Sequence, residues 1–257
     1  RSVVMTARHL WTYSTAAVLL DEPAHLEMAD YAWRAISRDF IDREFGGVFW
    51  SVKNDGSPDV SKKQIYGESF ALYGLSAYAI ALQKFRPDED TAGEIMDSSL
   101  ALFELLETKA RDRRFGGYVE ARARDWSPTK DLKLSDKDID CEKSMNTNLH
   151  VMEALSACRR AVRAVHPEWN DVISRIGESL SSLVAIMVEK ILGKDFHLDL
   201  YFNGDWTQIG DSVSYGHDIE ASWLLWEAVE ELSATGASGK SFSEKIKPVV
   251  IRIAETA

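Results

Sequence analysis

REFGGVFWS, residues 43–51, returns as RRFGGYVEA at residues 113–121, one period of 70 residues later. Each copy opens a longer stretch that alternates apolar residues and closes on a turn: FGGVFWSVKNDGSPD at 45–59 and FGGYVEARARDWSPTKD at 115–131. A third such stretch, FHLDLYFNGDWTQ at 196–208, follows about 80 residues further on. Alternation at period two, ended by Gly, Asn, Asp or a Trp-Ser-Pro turn, predicts a β-hairpin at each place.

Between the hairpins the period changes. Apolar residues recur at spacings of three and four over 3–20, 24–40, 67–82, 91–106, 145–165, 172–192, 219–232 and 242–254, which predicts about eight helices. Helix pairs joined by repeated hairpins suggest a solenoid closed on itself, each pair burying its apolar face against its neighbours. The expected fold is all-α, an (α/α)6 toroid or barrel with short β-hairpins between helix pairs, forming a single domain over residues 1–257. Six pairs need roughly twelve helices, and the helical pattern is under way at Ser2 and still running at Ala257 without a Gly or Pro stop. The ring is therefore expected to be incomplete, a fragment lacking an N-terminal helix and a C-terminal third.

Composition narrows the partners. A net charge of −11 repels phosphate backbones and anionic lipid, and no Lys/Arg cluster offsets it, so neither nucleic acid nor a membrane is an expected partner. No apolar run reaches the roughly 18 residues of a membrane span, and Arg8 and His9 interrupt the N-terminal stretch where a secretion signal needs an unbroken apolar core. A cytoplasmic monomer is the expectation. Cys141 and Cys158 fit no disulfide framework or zinc spacing and read as reduced thiols. Eight tryptophans supply flat apolar faces, and neutral sugar rings are one ligand class that stacks on them.

Four polar sites open the N-terminal parts of alternate helices. In SYGHDIEASWLLW, residues 214–226, His217 and Glu220 are three apart, on one face of a first helical turn. A carboxylate there can accept the imidazole N–H and fix its tautomer, as a general base requires. The plainer reading, commoner on spacing alone, is that Asp218 and Glu220 complement the helix N-terminus while His217 is solvated. A zinc pair would favour His at i and i+4 and a third ligand, so no metal is expected. In MNTNLHVMEA, Asn146 and His150 share a helix face that Glu153 continues, although a lone His on an apolar helix is more often a core residue. In QIYGESFALYGL, Tyr66 and Phe70 repeat that spacing while Glu68 points elsewhere; such a stripe is usually core. Arg8, in TARHLWTYS, sits among apolar residues, as a snorkelling surface arginine also would. In a toroid these four helix ends could converge on one funnel.

The segments RHLWTYS, QIYGESFALYGLSAY, GGYVEARARDWSP, LKLSDKDIDCEKSMNTNLHVMEA and SYGHDIEASWLLWEA resemble those of the cellobiose 2-epimerases, within the wider N-acylglucosamine 2-epimerase group, along essentially the whole chain. The resemblance implies an (α/α)6 barrel that interconverts glucose and mannose at the reducing end of β-1,4-linked disaccharides such as cellobiose, lactose or mannobiose, without metal or organic cofactor. The implied reaction opens the ring, removes the C2 proton, passes through a cis-enediolate and returns a proton to the opposite face. By motif, His217 is implied as one of two catalytic histidines, with Glu220 orienting it. His150 and Asn146 are implied as donors near O1 and O2, and Arg8 as the group that stabilises the enediolate charge. Tyr66 and Phe70 are implied to line the substrate, Asp138 in SDKD to contact it from a loop, and Trp223 to form a pocket wall.

The chain departs from the family pattern where MNTHLH is usual: Asn148 replaces the first histidine, about 200° around the helix from His150, and is expected to face away. By the resemblance, the second histidine and two sugar-stacking tryptophans fall in the family's C-terminal third, which has no counterpart here, so an open barrel and severely reduced or absent epimerisation are expected of these residues alone. Three other readings are weighed, and the second is set aside. An aldose-ketose isomerase or an N-acylglucosamine 2-epimerase would use the same toroid on a monosaccharide. A glycoside hydrolase would need two carboxylates where this chain offers His, Asn and Arg. A non-catalytic carbohydrate-binding toroid is the third.

Overall fold

A computed structural model describes residues 1–134 and 139–234, the backbone of 237–241, and residues 242–257. Its helices are α1 (Val3–Leu20), α2 (Leu26–Ala35), α3 (Ile65–Phe85), α4 (Thr91–Leu105), α5 (Met145–Val165), α6 (Asn170–Ile186), α7 (Tyr215–Ser233) and α8 (Ala237–Thr256). The inner helices α1, α3, α5 and α7 pack side by side in that order, and α2, α4, α6 and α8 each lie outside the inner helix they follow. Sequence explains the division: α3 and α5 bury residues on nearly every side, while α2 and α6 bury one stripe. This is the α/α toroid architecture read from the repeat.

Two boundaries differ from the periodicity. The apolar patterns at 24–40 and 172–192 each contain more than one element, because α2, α4 and α6 all end in a π-type turn, at Ile36–Phe40, Leu106–Ala110 and Met187–Ile191. The wider turn keeps apolar residues inward, so spacing alone does not reveal it. It also re-aims the chain, and the next residues, Ile41, Arg111 and Leu192, leave in extended conformation to begin each hairpin.

The hairpins pair differently from expectation. β1 (Ser51–Val52) pairs with β2 (Pro58–Val60), and β6 (Tyr201–Phe202) with β7 (Gln208–Ile209), but β4 (Ala121–Arg122) pairs with β3 (Lys63–Gln64), not with a return strand of its own. β6 likewise pairs with β5 (Lys143–Ser144), and a single bridge joins Ser2 to Ser51. The residue before each of α1, α3 and α5 thus meets the hairpin that follows its outer partner. The first amides of α1, α3 and α5, on Val3, Ile65 and Met145, accordingly donate to the carbonyls of Trp50, Glu120 and Leu200. All three hairpins therefore sit at the N-terminal ends of the inner helices.

The fourth residue of α3, α5 and α7 clamps each hairpin. Glu68 accepts the Val48 N–H at 3.0 Å, Asn148 that of Tyr118 at 2.9 Å, and Asp218 that of Leu198 at 2.9 Å. Asn148 also donates to the Tyr118 and Ser144 carbonyls, which fixes it on the hairpin side of α5, away from the axis as its helical angle predicts. Gly47 and Gly117, both at positive φ, precede two of the clamped amides. A Cβ on Gly47 would lie 2.7 Å from Trp126, and one on Gly117 would collide with Trp206. Those indoles come from the next hairpin in the chain, and their N–H groups donate to the Phe45 and Phe115 carbonyls. Beneath each socket a fully buried ammonium completes the joint, Lys63 on Asp42 at 3.0 Å and Lys143 on Asp112 at 2.6 Å.

Glu68 is the costly member of the clamp series. Burial pushes its carboxyl up to about 8 from an ordinary value of 4.5, more than the Lys63 charge and the Val48 N–H pull it down. With the folded-state value above the unfolded one, the stability owed to neutral Glu68 is full below pH 4.5 and is lost as pH rises through 8. Glu68→Gln, which imitates Asn148, is expected to leave stability near pH 5 little changed. Its advantage over the unsubstituted chain should grow toward pH 8.5, read as a diverging pair of denaturation midpoints across that interval.

Candidate functional site

Equivalent positions on the inner helices build the site layer by layer. Arg8, Phe70, His150 and Glu220 are the sixth residues of α1, α3, α5 and α7, and Tyr66 and Asn146 the second residues of α3 and α5. In an α-helix second, sixth and ninth residues share one face, and here that face turns to the axis side of the arc. The Arg8 guanidinium carbon stands 4.5 Å over the Phe70 ring, with one nitrogen 3.5 Å from the Tyr66 hydroxyl, the long limit of a hydrogen bond. The His150 ring lies 4.8 Å from Phe70 and 5.1 Å from Tyr66, edge-on to the latter. Arg8, Tyr66, Phe70 and His150 are thus brought into one cluster. Phe70 and His150 are buried in it and Arg8 is exposed at its edge.

Asn146 and His217 meet elsewhere along the same rim. Both line a cavity of about 50 Å³ with Glu120, Ser144, Tyr201 and Leu200, roofed by Leu134, Ile139 and Cys141. That volume holds a water or two, not a sugar ring, whose sites run to hundreds of Å³. The Asn146 Oδ1 is buried and has no hydrogen-bond partner among the described residues. α5 joins the two groups, since Asn146 stands one turn above His150. The roof belongs to a connection that is ten residues longer than its counterpart, with Trp126 and Lys143 seventeen apart where Gly56 and Lys63 are seven apart. It is anchored across the neighbouring repeat by Lys62, which donates to Asp131 at 2.9 Å and to the Lys133 carbonyl at 2.8 Å. Asp138 lies in this connection, outside the described residues.

One expectation is corrected. His217 is half-buried, but its Nδ1 is paired at 2.7 Å with Ser214, the residue capping α7, and not with Glu220. His217 is the third residue of α7 and turns back toward the cap, while Glu220, the sixth, faces the axis and has no hydrogen-bond partner among the described residues. The same His-x-x-Glu spacing does form a pair on α5, where His150 Nδ1 and Glu153 Oε2 are 2.8 Å apart and both side chains are buried. Trp223 is 51% exposed. Glu68 points away from the Tyr66–Phe70 stripe, as read, and is a hairpin clamp.

Sequence reading missed His197. Its Nδ1 lies 2.8 Å from Asp218, whose other oxygen holds the Leu198 amide. Aligning FHL with FGGV and FGGY would have set His197 at a glycine position and marked it. Cys141 and Cys158 form no disulfide and are buried, and burial pushes the Cys158 thiol up to about 12. Among the described residues no three His, Cys, Asp or Glu side chains gather as a metal site, and no helix is long and apolar enough to cross a membrane.

The comparisons with known proteins agree with this architecture. The sequence profile of the N-acylglucosamine 2-epimerase (GlcNAc 2-epimerase) family matches residues 1–247, and the chain belongs to that family. It is similar to the cellobiose 2-epimerase of Bacteroides fragilis, 40% identical over 258 residues that cover 100% of this chain and 60% of the relative. Among solved structures, the cellobiose 2-epimerase of Spirochaeta thermophila superimposes with a TM-score of 0.81 at 38% identity, over 99% of this chain and 59% of that one. The chain thus spans about 60% of the length of these relatives. A D-mannose isomerase with a TM-score of 0.73 at 19% identity, and a family 105 glycoside hydrolase with 0.64 at 12%, share the fold.

Phe70 is the member on which the cluster rests. Phe70→Ala should cost about 3–5 kcal/mol, since it empties a buried ring site between Arg8 and His150. Arg8→Ala, at the exposed edge, should cost less than about 1 kcal/mol. Urea unfolding of the two variants checks the contrast.

Proposed function

We propose that this chain acts in the epimerisation at C2 of the reducing-end sugar of a β-1,4-linked disaccharide, with cellobiose as the test substrate. The observation that carries the reading is the convergence of Arg8, Tyr66 and His150 at the rim where Asn146 and His217 share a cavity. Proton abstraction beside an aldehyde needs a base at C2 and neutral or cationic donors around the developing enediolate oxygens. His217 serves as the base on one face of C2, with Ser214 on Nδ1 leaving Nε2 as the working nitrogen, and the proton returned to the opposite face comes from a second group, by the resemblance a histidine of the family's C-terminal third. Asn146 serves as a donor to O1 or O2, His150 faces the same oxygens and takes a hydroxyl proton there, and Arg8, held over Phe70 and close to Tyr66, carries the counter-charge. Tyr66 and Phe70 give the sugar an aromatic wall, Trp223 offers a stacking face one turn below Glu220, and Asp138 lies in the connection whose flanks roof the rim. Glu220 acts on the substrate side of α7, not as a partner of His217. Neither a metal nor an organic cofactor enters this scheme.

The test is exchange at C2. Cellobiose incubated with the full-length protein in D2O should lose its C2 proton signal and yield a glucosyl-mannose product by NMR, and His217→Asn should slow this by about 10²–10⁴-fold. A ketose as sole product would make the protein an aldose-ketose isomerase, and retained sugar binding without exchange would make it a binding module; either sinks the proposal.

A further inference from the structure

The layer beneath the candidate site has a chemistry of its own. Trp11, Tyr73, Glu153 and Trp223 are the ninth residues of α1, α3, α5 and α7, one turn below Arg8, Phe70, His150 and Glu220. Glu153 is the one acid of that layer, 8% exposed, and its Oε2 lies 2.8 Å from Nδ1 of His150, itself 4% exposed. An ionised carboxylate only accepts, so this contact puts the His150 proton on Nδ1 and the lone pair of the neutral ring on Nε2. Nε2 has no hydrogen-bond partner among the described residues. Glu153 is in turn flanked by Tyr73, whose phenol is pushed well above its ordinary value by burial and by the Glu153 charge. The Tyr73 ring is stacked on Trp11, with centroids 5.3 Å apart and planes 20° from parallel. A line from α1 through α3 to α5 therefore ends on a single imidazole nitrogen.

We propose that Glu153, braced by Tyr73, is a positioning residue for the C2 reaction, holding His150 in the Nδ1–H tautomer so that the Nε2 lone pair accepts from a sugar hydroxyl. This rests on the epimerase reading above. The His150 ring cannot readily turn away, because Phe70 and Tyr66 close on it at 4.8 and 5.1 Å. The tautomer, not the place of the ring, is what the carboxylate adds. Glu153→Gln is the informative change, since an amide of the same shape both donates and accepts and so permits either tautomer.

The experiment pairs a spectroscopic readout with a kinetic one on the full-length protein. Long-range 1H–15N correlation should show neutral His150 as the Nδ1–H tautomer in the unsubstituted protein and as a mixture, or the Nε2–H form, in Glu153→Gln. The rate of C2 exchange on cellobiose should fall by about 10²-fold or more in kcat, with KM changed less than about threefold, following the pattern of a mis-set tautomer. Tyr73→Phe, which keeps the stack on Trp11 and removes only the hydroxyl, should lose about tenfold. A Nε2–H tautomer in the unsubstituted protein, or full kcat in Glu153→Gln, overturns the proposal. If His150 shows the Nδ1–H tautomer but no C2 exchange occurs, the epimerase reading fails, and with it the catalytic sense of the pair.

Discussion

The structure depends on a side-chain oxygen, one turn into an inner helix, accepting the amide N–H of a hairpin. Glu68, Asn148 and Asp218 make this contact on Val48, Tyr118 and Leu198. A buried amide without a partner would cost about 1–3 kcal/mol, and these three face a helix flank that offers no backbone acceptor. The contact fixes each hairpin to the start of an inner helix, and with it the rim on which Arg8, Tyr66, Asn146, His150 and His217 stand. Residue type is free to vary as long as the oxygen arrives, which is why an acid, an amide and a shorter acid hold equivalent places.

The third joint is built with different charges from the first two. Lys63 and Lys143 sit fully buried on Asp42 and Asp112, whereas the corresponding residues at the third joint are Val213, 43% exposed, and Gly193. Without a buried ammonium, the clamp carboxylate Asp218 takes His197 as its polar partner. The start of α7 is accordingly more open than those of α3 and α5. His217 occupies a position where α3 has Gly67 and α5 has Thr147, so it is the shift to a large polar side chain at that open end that places an imidazole on the rim.

Much of the fold was legible because a repeat multiplies its own signal. FGG at two places and Trp-Ser-Pro beside Trp-Thr-Gln gave the hairpins, and apolar spacing gave the helices. The π-type turns were hidden, since an extra residue in the last turn leaves the apolar spacing almost intact. The pairing of β4 with β3 was hidden too, because alternation marks a strand without naming its neighbour. At the candidate site the structure brings Arg8, Tyr66, Phe70 and His150 together, but one partnership was misassigned. HDIE and HVME share one spacing, yet only His150 and Glu153 pair. The difference is depth: at the first turn of α7 the cap Ser214 competes for the imidazole, while a turn deeper on α5 no hydroxyl does. His197 and Asp218, far apart in sequence, could not be joined without the fold.

The indoles of Trp126 and Trp206 are lodged in the joint of the preceding repeat. During synthesis from the ribosome, a Gly-Gly pocket stays open until the polypeptide some eighty residues downstream has emerged to stopper it. No single helix pair is then a self-sufficient folding module, and assembly proceeds as a chain of latches, each closed by the following arrival. Shortening or lengthening such a protein by part of a period would strand an indole without its lock, so viable length changes are confined to the connections that run between a latch and the next inner helix, as the longer one after Trp126 does.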